Sequence, residues 1–451
     1  MRTDRIGSTV LTMVLLLIVM TSRGQDKTSF SLEEAVNFAL LNNQTVKNAK
    51  LEMEIAERQV DELIADGLPQ VNANMDLGYN YKIQRVFLPG DAFDPNGDPN
   101  AVIAQEFGTL YSGTMGISAT QMIFDGSFFV GLKAAKTFTE LSKKDLVRSN
   151  IDVAEAVSKA YFGVLVNVER YELIKSNYSR VDSLLRDTDL LYKNGMSEKI
   201  DVSRVKVQYN NLKVEMDNYQ AILDYSKSIL KFQMGLDPKS TIELTEKIQD
   251  VDYFQFDQVQ DFQYENRIEY AQLNINKQLN ELDIRNVNSG YAPTLNAYGS
   301  YGRNSGTQEL GDLVNFTGNY WQGVGVVGLK LSMPIFDGLR KSRQVQQRKL
   351  KGEQIKNQFE QLEYSIDLEI EQAMASYNKE IDNIKAQKEN MELAREVYDV
   401  AKTKYEEGVG SNIEVIDADR EYKQAQTNYY NAVYDALISK VELQKAYGVL
   451  L

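Results

Sequence analysis

Two carboxylates three residues apart, Glu414 and Asp417, stand near the start of a C-terminal amphipathic stretch, and a third, Asp201, holds the matching place in an earlier stretch. On a helix an i,i+3 pair shares one face. Such acids either complement the positive end of the helix dipole or, where symmetry gathers several copies, build rings that concentrate cations. Little else in the chain could do chemistry. Its 451 residues include no Cys and no His, which removes disulfides, thiolate nucleophiles, imidazole bases and Cys/His zinc sites. Asp94, Asn96 and Asp98 have the spacing that opens an EF-hand loop, but the closing Glu is missing and Pro89, Pro95 and Pro99 crowd the segment, so a surface loop is the better reading. The remaining acids fall in no distinctive pocket motif. We expect no catalytic residue, no metal site and no cofactor, and read the chain as a non-enzyme.

The elements that carry these residues follow from composition and pattern. Fifty Lys and Arg against 64 Asp and Glu leave a net charge of −14, which argues against a nucleic-acid partner. A mean hydropathy of −0.39 argues against a bundle of membrane helices. Residues 1–24 read as a signal peptide: Arg2 and Arg5, an eleven-residue apolar core from Val10 to Met20, then small residues up to Gly24. A single anchoring helix is the alternative, but that core is shorter than the roughly 20 residues needed to cross a bilayer. No later segment has 18 consecutive apolar residues, so any membrane crossing falls to strands.

The chain contains itself twice. Ile123-Phe124-Asp125-Gly126 returns as Ile335-Phe336-Asp337-Gly338, and Leu191-Tyr192-Lys193-Asn194-Gly195 as Lys404-Tyr405-Glu406-Glu407-Gly408, at offsets of 212 and 213. Ile200-Asp201-Val202 matches Ile413-Glu414-Val415, the run Leu230–Leu236 matches Leu443–Val449, and Pro69–Ala73 matches Pro293–Ala297. A period this long means duplication of a large unit rather than a solenoid. We place the first repeat at 28–236, a linker at 237–254 and the second repeat at 255–451.

Each copy holds a helix, a pair of strands, a very long helix and a return helix. The first helix is expected over Ser31–Asp66, with Ser31 and Glu34 at capping-box spacing and Gly67-Leu68-Pro69 as its stop. Period-2 alternation marks strands within about 70–125 and again within 293–336. Apolar stripes free of Pro then run from about Gly131 to Tyr192 and from Leu339 to Glu407, the second with one polar interruption at Lys388. A helix of ~70 residues spans ~105 Å, and only lateral partners can bury its stripe. Gly195 and Gly408 end these runs, and return helices follow from about Ile200 and Asn412. Four strands are too few to close a membrane barrel, which takes at least about eight, so assembly must supply the rest; three chains would give twelve. Tyr79, Tyr81, Tyr111, Tyr298, Tyr301, Tyr320 and Trp321 near strand ends suit an aromatic interface belt.

The duplicated pattern, the two Ile-Phe-Asp-Gly segments and the run Gly408-Val409-Gly410-Ser411-Asn412-Ile413-Glu414-Val415-Ile416-Asp417-Ala418 resemble the TolC-type outer membrane efflux proteins over about residues 28–450. The resemblance implies a mixed fold, a membrane β-barrel plus a long α-helical barrel, in which a homotrimer of duplicated protomers forms a 12-stranded barrel continued by a periplasmic tunnel. It implies localisation to the outer membrane, in contact with its lipid, and a passive channel role in tripartite efflux or type I secretion. The implied partners are a periplasmic adaptor and an inner-membrane transporter of the RND or ABC class. Drug, metal ion and protein all remain open as cargo. By motif, the family's two gate aspartates fall on Glu414 and Asp417, and its first-copy acid on Asp201. The chain departs from the family with Glu at 414 and with Gly410 at a hinge-arginine position. Arg204, the counterpart of Asp417, is a candidate replacement salt-bridge partner at the gate. Asn194, Gly195, Val409 and Gly410, at the hairpin turns, are the expected adaptor contacts. The competing reading is a structural coiled-coil envelope protein without a pore, which predicts continuous heptads and no strands.

Overall fold

The computed structural model describes residues 29–451 except Asp94, Gly97, Tyr253, Gln255, 257–261 and Gly318. The signal segment 1–24, Asp94 of the EF-hand-like run and part of the junction between the copies, at Tyr253 and Gln255, lie outside the described residues. In chain order the elements are β1 (Ser29–Phe30), α1 (Leu32–Asn42), α2 (Gln44–Asp66), β2 (Gln70–Tyr79), β3 (Arg85–Pro89), β4 (Val102–Glu106), β5 (Tyr111–Phe124), α3 (Gly126–Lys193) and α4 (Lys199–Met234). The second half adds β6 (Glu243–Leu244), α5 (Ile268–Ser289), β7 (Thr294–Thr307), α6 (Leu310–Val314), β8 (Trp321–Ser332), α7 (Arg340–Glu406) and α8 (Asn412–Ala446).

The expected first helix forms but breaks in two. Ser31 caps α1 as its sequence predicts, its Oγ accepting from the Glu34 amide while its own amide donates to the Glu34 carboxylate. At Asn43 the backbone turns extended, with ψ 137°, because the side chain replaces helical bonding: its oxygen accepts from the Thr45 amide at 2.7 Å and its amide donates to the Gln233 carbonyl at 2.6 Å. An Asn at this point ends one helix and caps the next. The Asp of each Ile-Phe-Asp-Gly segment also serves a helix start. Asp125 accepts from the Ser127 amide at 2.8 Å and Asp337 from the Lys341 amide at 3.2 Å.

The described residues fall into two compact units, each drawing on both copies. The first takes the piece ending at Met53 with Ser142–Leu273 and Gln358–Leu451; the second takes Glu54–Leu141 and Asn274–Asn357.

The second unit holds a four-stranded antiparallel sheet of order β2-β5-β7-β8. The pairing of β5 with β7 joins the strands of the two copies, and β2 and β8 are left as edges. Register fixes two unlike faces. One carries Val71, Ala73, Met75 and Leu77 of β2, Met115 and Ile117 of β5, Tyr301 of β7, and Val327, Leu329 and Leu331 of β8. The other is mostly polar, with Asn72, Asn74, Asp76, Thr114, Ser118, Thr120, Asn296, Ser300, Asn304 and Lys330, and includes Val324 and Val326 of β8. Tyr298, expected at a strand end, instead lies on the polar face, its ring so close over Gly328 that a Cβ there would sit 2.8 Å from it. Two pieces were not read from the sequence, the β3–β4 ribbon and the short α6; both sit in connections rich in turn residues.

The first unit is helical, with a small parallel pairing of β1 with β6. Its core packs α3 against α8: Val153, Val157, Tyr161, Val164 and Leu165 meet Ala432, Val433, Ala436, Leu437 and Val441. The stripes expected on both elements are thus buried face to face. Charge clamps the same seam, where Lys159 reaches Glu155 at 2.8 Å and Glu442 at 2.7 Å, and Lys445 reaches Glu155 at 2.7 Å and Asp152 at 3.1 Å.

Candidate functional site

The two hairpin turns of the first unit, α3 to α4 and α7 to α8, carry every site residue singled out from the sequence. Both turns are Schellman motifs. At the first, Gly195 donates to the Tyr192 carbonyl at 3.0 Å and Met196 to that of Leu191 at 2.8 Å; at the second, Gly408 donates to Tyr405 at 3.1 Å and Val409 to Lys404 at 3.0 Å. Gly195 and Gly408 have φ of 75° and 73°, the left-handed region that glycine enters without a Cβ clash. Asn194 closes the end of its helix, its side-chain amide donating to the Leu190 carbonyl at 2.9 Å. Gly410 is needed for a different reason: the chain folds back so closely that a Cβ would lie 2.9 Å from that of Lys404 and 3.0 Å from the Tyr405 amide. That tight return has no room for a hinge arginine. Next to the left-handed glycines, Met196 is 77% and Val409 80% exposed, large apolar side chains held out at each tip.

Beyond the turns the two return helices use their acids differently. In α4, Asp201 is occupied with the local backbone: it accepts from the Ser197 hydroxyl at 3.1 Å and the Glu198 amide at 3.4 Å, and pairs with Arg204 at 3.4 Å. In α8 the cap is Ser411, whose Oγ accepts from the Glu414 amide at 3.3 Å. The Glu414 carboxylate is exposed and has no partner among the described residues. Asp417, also exposed, pairs with Arg420 at 3.3 Å on its own helix. Arg204 and Asp417 nonetheless line one open groove of about 430 Å³ between α4 and α8, with Gln208, Ile413 and Lys423.

The same groove contains a residue that sequence reasoning missed. Asp419 is 2% exposed and receives Arg180 of α3 through two guanidinium nitrogens at 3.0 and 2.6 Å, while Gln208 of α4 donates to its other oxygen at 2.7 Å. The Arg180 guanidinium lies 4.8 Å from the ring centre of Tyr398 on α7 and 5.5 Å from that of Tyr422 on α8. Burial pushes the Tyr398 hydroxyl up to about 12 despite the nearby guanidinium. One carboxylate thereby ties all four helices of the two hairpins, and Tyr405 adds contacts to Thr188 at 3.5 Å and Asn412 at 3.4 Å. The spacing of two residues from Asp417 is the only signal for Asp419 in the sequence, and it turns the side chain to the opposite, buried face.

This fold and these turns have counterparts among known proteins. The family model for the outer membrane efflux protein matches residues 35–227 and 265–449. The chain belongs to the outer membrane efflux protein family. The outer membrane protein TolC of Salmonella enteritidis is 22% identical over 430 residues, covering 93% of this chain and 82% of that protein. Among solved structures, CusC superposes with a TM-score of 0.70 at 16% identity, covering 92% of each chain. The open state of the Neisseria gonorrhoeae MtrE outer membrane channel superposes with a TM-score of 0.67 at 18% identity, covering 92% of this chain and 88% of that one.

Family membership gives the elements their setting. As an outer membrane efflux protein the chain is a channel of the outer membrane with a periplasmic extension, one component of a tripartite efflux or secretion system, and not an enzyme. No helix of the described residues is long and apolar enough to cross a membrane.

Proposed function

We propose that three copies of this chain close one conduit, a twelve-stranded barrel in the outer membrane continued by a periplasmic helical tunnel, which carries cargo passively from an inner-membrane transporter and its periplasmic adaptor to the exterior. The observation that carries this reading is the two-faced sheet with open edges. A sheet apolar on one side and rich in Asn, Ser and Thr on the other suits lipid outside and water inside, and the unpaired β2 and β8 edges can pair only with further strands. The helices support the same symmetry. The seam of α3 with α8 inside the chain has a counterpart 213 residues away, α7 against α4, where Leu368 stands for Glu155 and Phe232 for Lys445. Both are bare, at 63% and 74% exposure. Between neighbouring copies they would cover each other.

At the far end, Glu414 and Asp417 would form two acidic rings at the tunnel mouth, with Asp201 and Arg204 as a neutralised pair beside them. Ser411 takes the capping work, which leaves the Glu414 carboxylate available for the lumen. The tips at Asn194, Gly195, Val409 and Gly410 would receive the adaptor, with Val409 and Met196 as the apolar anchors. An RND or ABC transporter would stand behind that adaptor. The test is purification from outer membranes in detergent, intact mass of the oligomer, and conductance in planar bilayers. We expect a trimer and long-lived channels; a monomer without conductance overturns the proposal.

A further inference from the structure

We propose that Arg303 and the glycine notch beside it form a binding site on the outer surface of the sheet for a net anionic lipid of the outer leaflet that bears a phosphomonoester. The inference rests on the barrel reading above, which makes the apolar face the lipid face.

On that face Arg303 is the one charged side chain among the strand residues. Its β7 position is paired with Met115 of β5 and Gly323 of β8; along the face Tyr301 lies on one side and, on the other, the buried Ser305, whose partners Gly113 and Trp321 are covered by Leu313 of α6. It is exposed and has a single partner among the described residues, the Phe316 carbonyl, to which Nη1 donates at 3.4 Å. A guanidinium carries five donors, so most of its capacity is turned outward. An arginine facing lipid persists where it can reach the head groups, and its cost falls toward the interface.

The depth of Arg303 fits that requirement. The strand ends at Tyr79, Tyr111, Thr307 and Trp321 are joined by loops, whereas the opposite ends lead into helices, so with the helices in the periplasm these loops face outward. Aromatics mark this rim: Tyr79 lies 5.1 Å from Tyr111, and Trp321, buried beneath α6 with its indole N–H donating to the Leu313 carbonyl at 3.1 Å, lies 5.4 Å from Phe316. Arg303 pairs with Gly323, two residues inward from Trp321, or about 5 Å in depth for a tilted strand. From there its side chain reaches the phosphate layer.

Space for the rest of the lipid lies alongside. Within the protomer, a Cβ at Gly323 would meet nothing within 4 Å, and one at Gly325 only the Ser300 carbonyl and the Tyr301 ring, at 3.4 Å; both lie on the β8 edge, where β2 of the next copy would form the far wall. The two glycines leave a shallow slot on the lipid face, walled by the exposed Tyr301 ring and continued by Val327. A phosphate held by the planar guanidinium, with an acyl chain in this slot, matches both the charge and the shape. A zwitterionic lipid matches the shape but offers only a phosphodiester whose single charge is offset by its own cation, so it should be held more weakly than a phosphomonoester.

The experiment uses the detergent-solubilised wild-type protein, native mass spectrometry to count bound lipids, and a dioleoyl phosphatidic acid titration against dioleoyl phosphatidylcholine. We expect preferential retention of phosphatidic acid, lowered about tenfold in affinity by Arg303→Gln, as for loss of one charge-assisted contact, and largely restored by Arg303→Lys. Gly323→Val, which fills the slot and leaves the charge, should also weaken retention. Equal binding of the two lipids, or an Arg303→Gln protein that binds phosphatidic acid like wild type, overturns the site. Displacement of the lipid by inorganic phosphate at equal concentration overturns it as well, by showing a free-anion site. Conductance of each variant separates the readings: a conducting channel with unaltered lipid binding sinks this site alone, whereas a wild type that never inserts sinks the barrel too.

Discussion

The two hairpin turns share one backbone and differ in what their side chains are free to do. Gly195 and Gly408 take the same left-handed conformation and close the same pair of hydrogen bonds, so duplication preserved the core of the turn, to which the second copy adds a bond from the Gly410 amide to the Lys404 carbonyl. Three residues later the copies part. In the first, the carboxylate of Asp201 is engaged by the cap and by Arg204; in the second, Ser411 caps, so that Glu414 stays exposed without a partner among the described residues and Asp417 is exposed with only Arg420 beside it. Further along, Asp419 is buried against Arg180, while its counterpart Lys206 is exposed. A duplicated fold thus keeps its turns, whose geometry tolerates few residues, and divides its charges, which are set by the neighbour each helix meets. On the proposed reading the first hairpin is scaffold, and the second carries the acids that would face the lumen.

Breaking the buried member of this comparison should have the largest effect. Asp419→Leu strands the Arg180 guanidinium among Tyr398, Tyr422 and Gln208, and removal of one partner from a buried pair costs about 3–5 kcal/mol. Lys206→Ala, at the equivalent place in the first copy, should fall within about 0.5 kcal/mol of wild type. Chemical denaturation of the helical signal measures both. Equal, small losses would mean that Asp419 does not join the hairpins.

Next in size is the open counterpart of the seam. Phe232→Asp removes about 1.5–3 kcal/mol of apolar burial from each proposed contact between copies and places a charge there, and three-fold symmetry repeats the loss. Lys445→Ala, its equivalent within the protomer, leaves that face untouched. Intact mass in detergent should show monomers for the first variant and trimers for the second. A Phe232→Asp protein that stays trimeric would place the interface elsewhere.

The rings come third. Replacing Glu414 and Asp417 together by Ala should weaken channel block by multivalent cations roughly tenfold, about 1.4 kcal/mol, with little change in stability. Asp201→Asn should do the reverse, leaving block unchanged and costing about 1 kcal/mol through the lost cap. If both variants alter block alike, the division of labour between the hairpins fails.

How far these differences could be read in advance depends on the range of the interaction. Glycine at the two helix ends, Ser31 with Glu34, and the alternation of Val71 to Leu77 are local signals, and each produced the element it implied. The break at Asn43 was local too, but its amide is held by Gln233, 190 residues away, so the pattern alone left the helix whole. Strand periodicity likewise identifies β5 and β7 without saying that they pair, because register is settled between strands distant in sequence. Asp419 is the extreme case. Nothing near it distinguishes it from Asp417, and only Arg180, 239 residues earlier, makes it a clasp.

The smallest effect concerns pH and again separates the copies. Glu155 is desolvated in the α3–α8 seam, which by itself would raise its pKa, but hydrogen bonds and charge from Lys159 and Lys445 outweigh that and hold it below the ordinary 4.5. A lowered carboxylate pKa stabilises the fold above the unfolded value and loses that contribution as pH falls through the folded one. Burial acts against both lysines, yet their acidic partners raise them above 10.5, so their share is lost only as pH climbs past that value. The seam should therefore hold evenly from about pH 5 to 10 and weaken at either extreme. The counterpart positions Leu368, Gln372, Ile229 and Phe232 do not titrate. With the Glu155 side chain 19% and that of its partner Lys445 27% exposed, the contribution is under about 1 kcal/mol after solvent screening. Thermal melts of wild type and Glu155→Gln should differ at pH 7 and converge toward pH 3, while the pH at which trimers dissociate stays the same. A constant gap across that range would remove the ion cluster from the acid response and leave packing and the Arg180–Asp419 pair to hold α3 against α8.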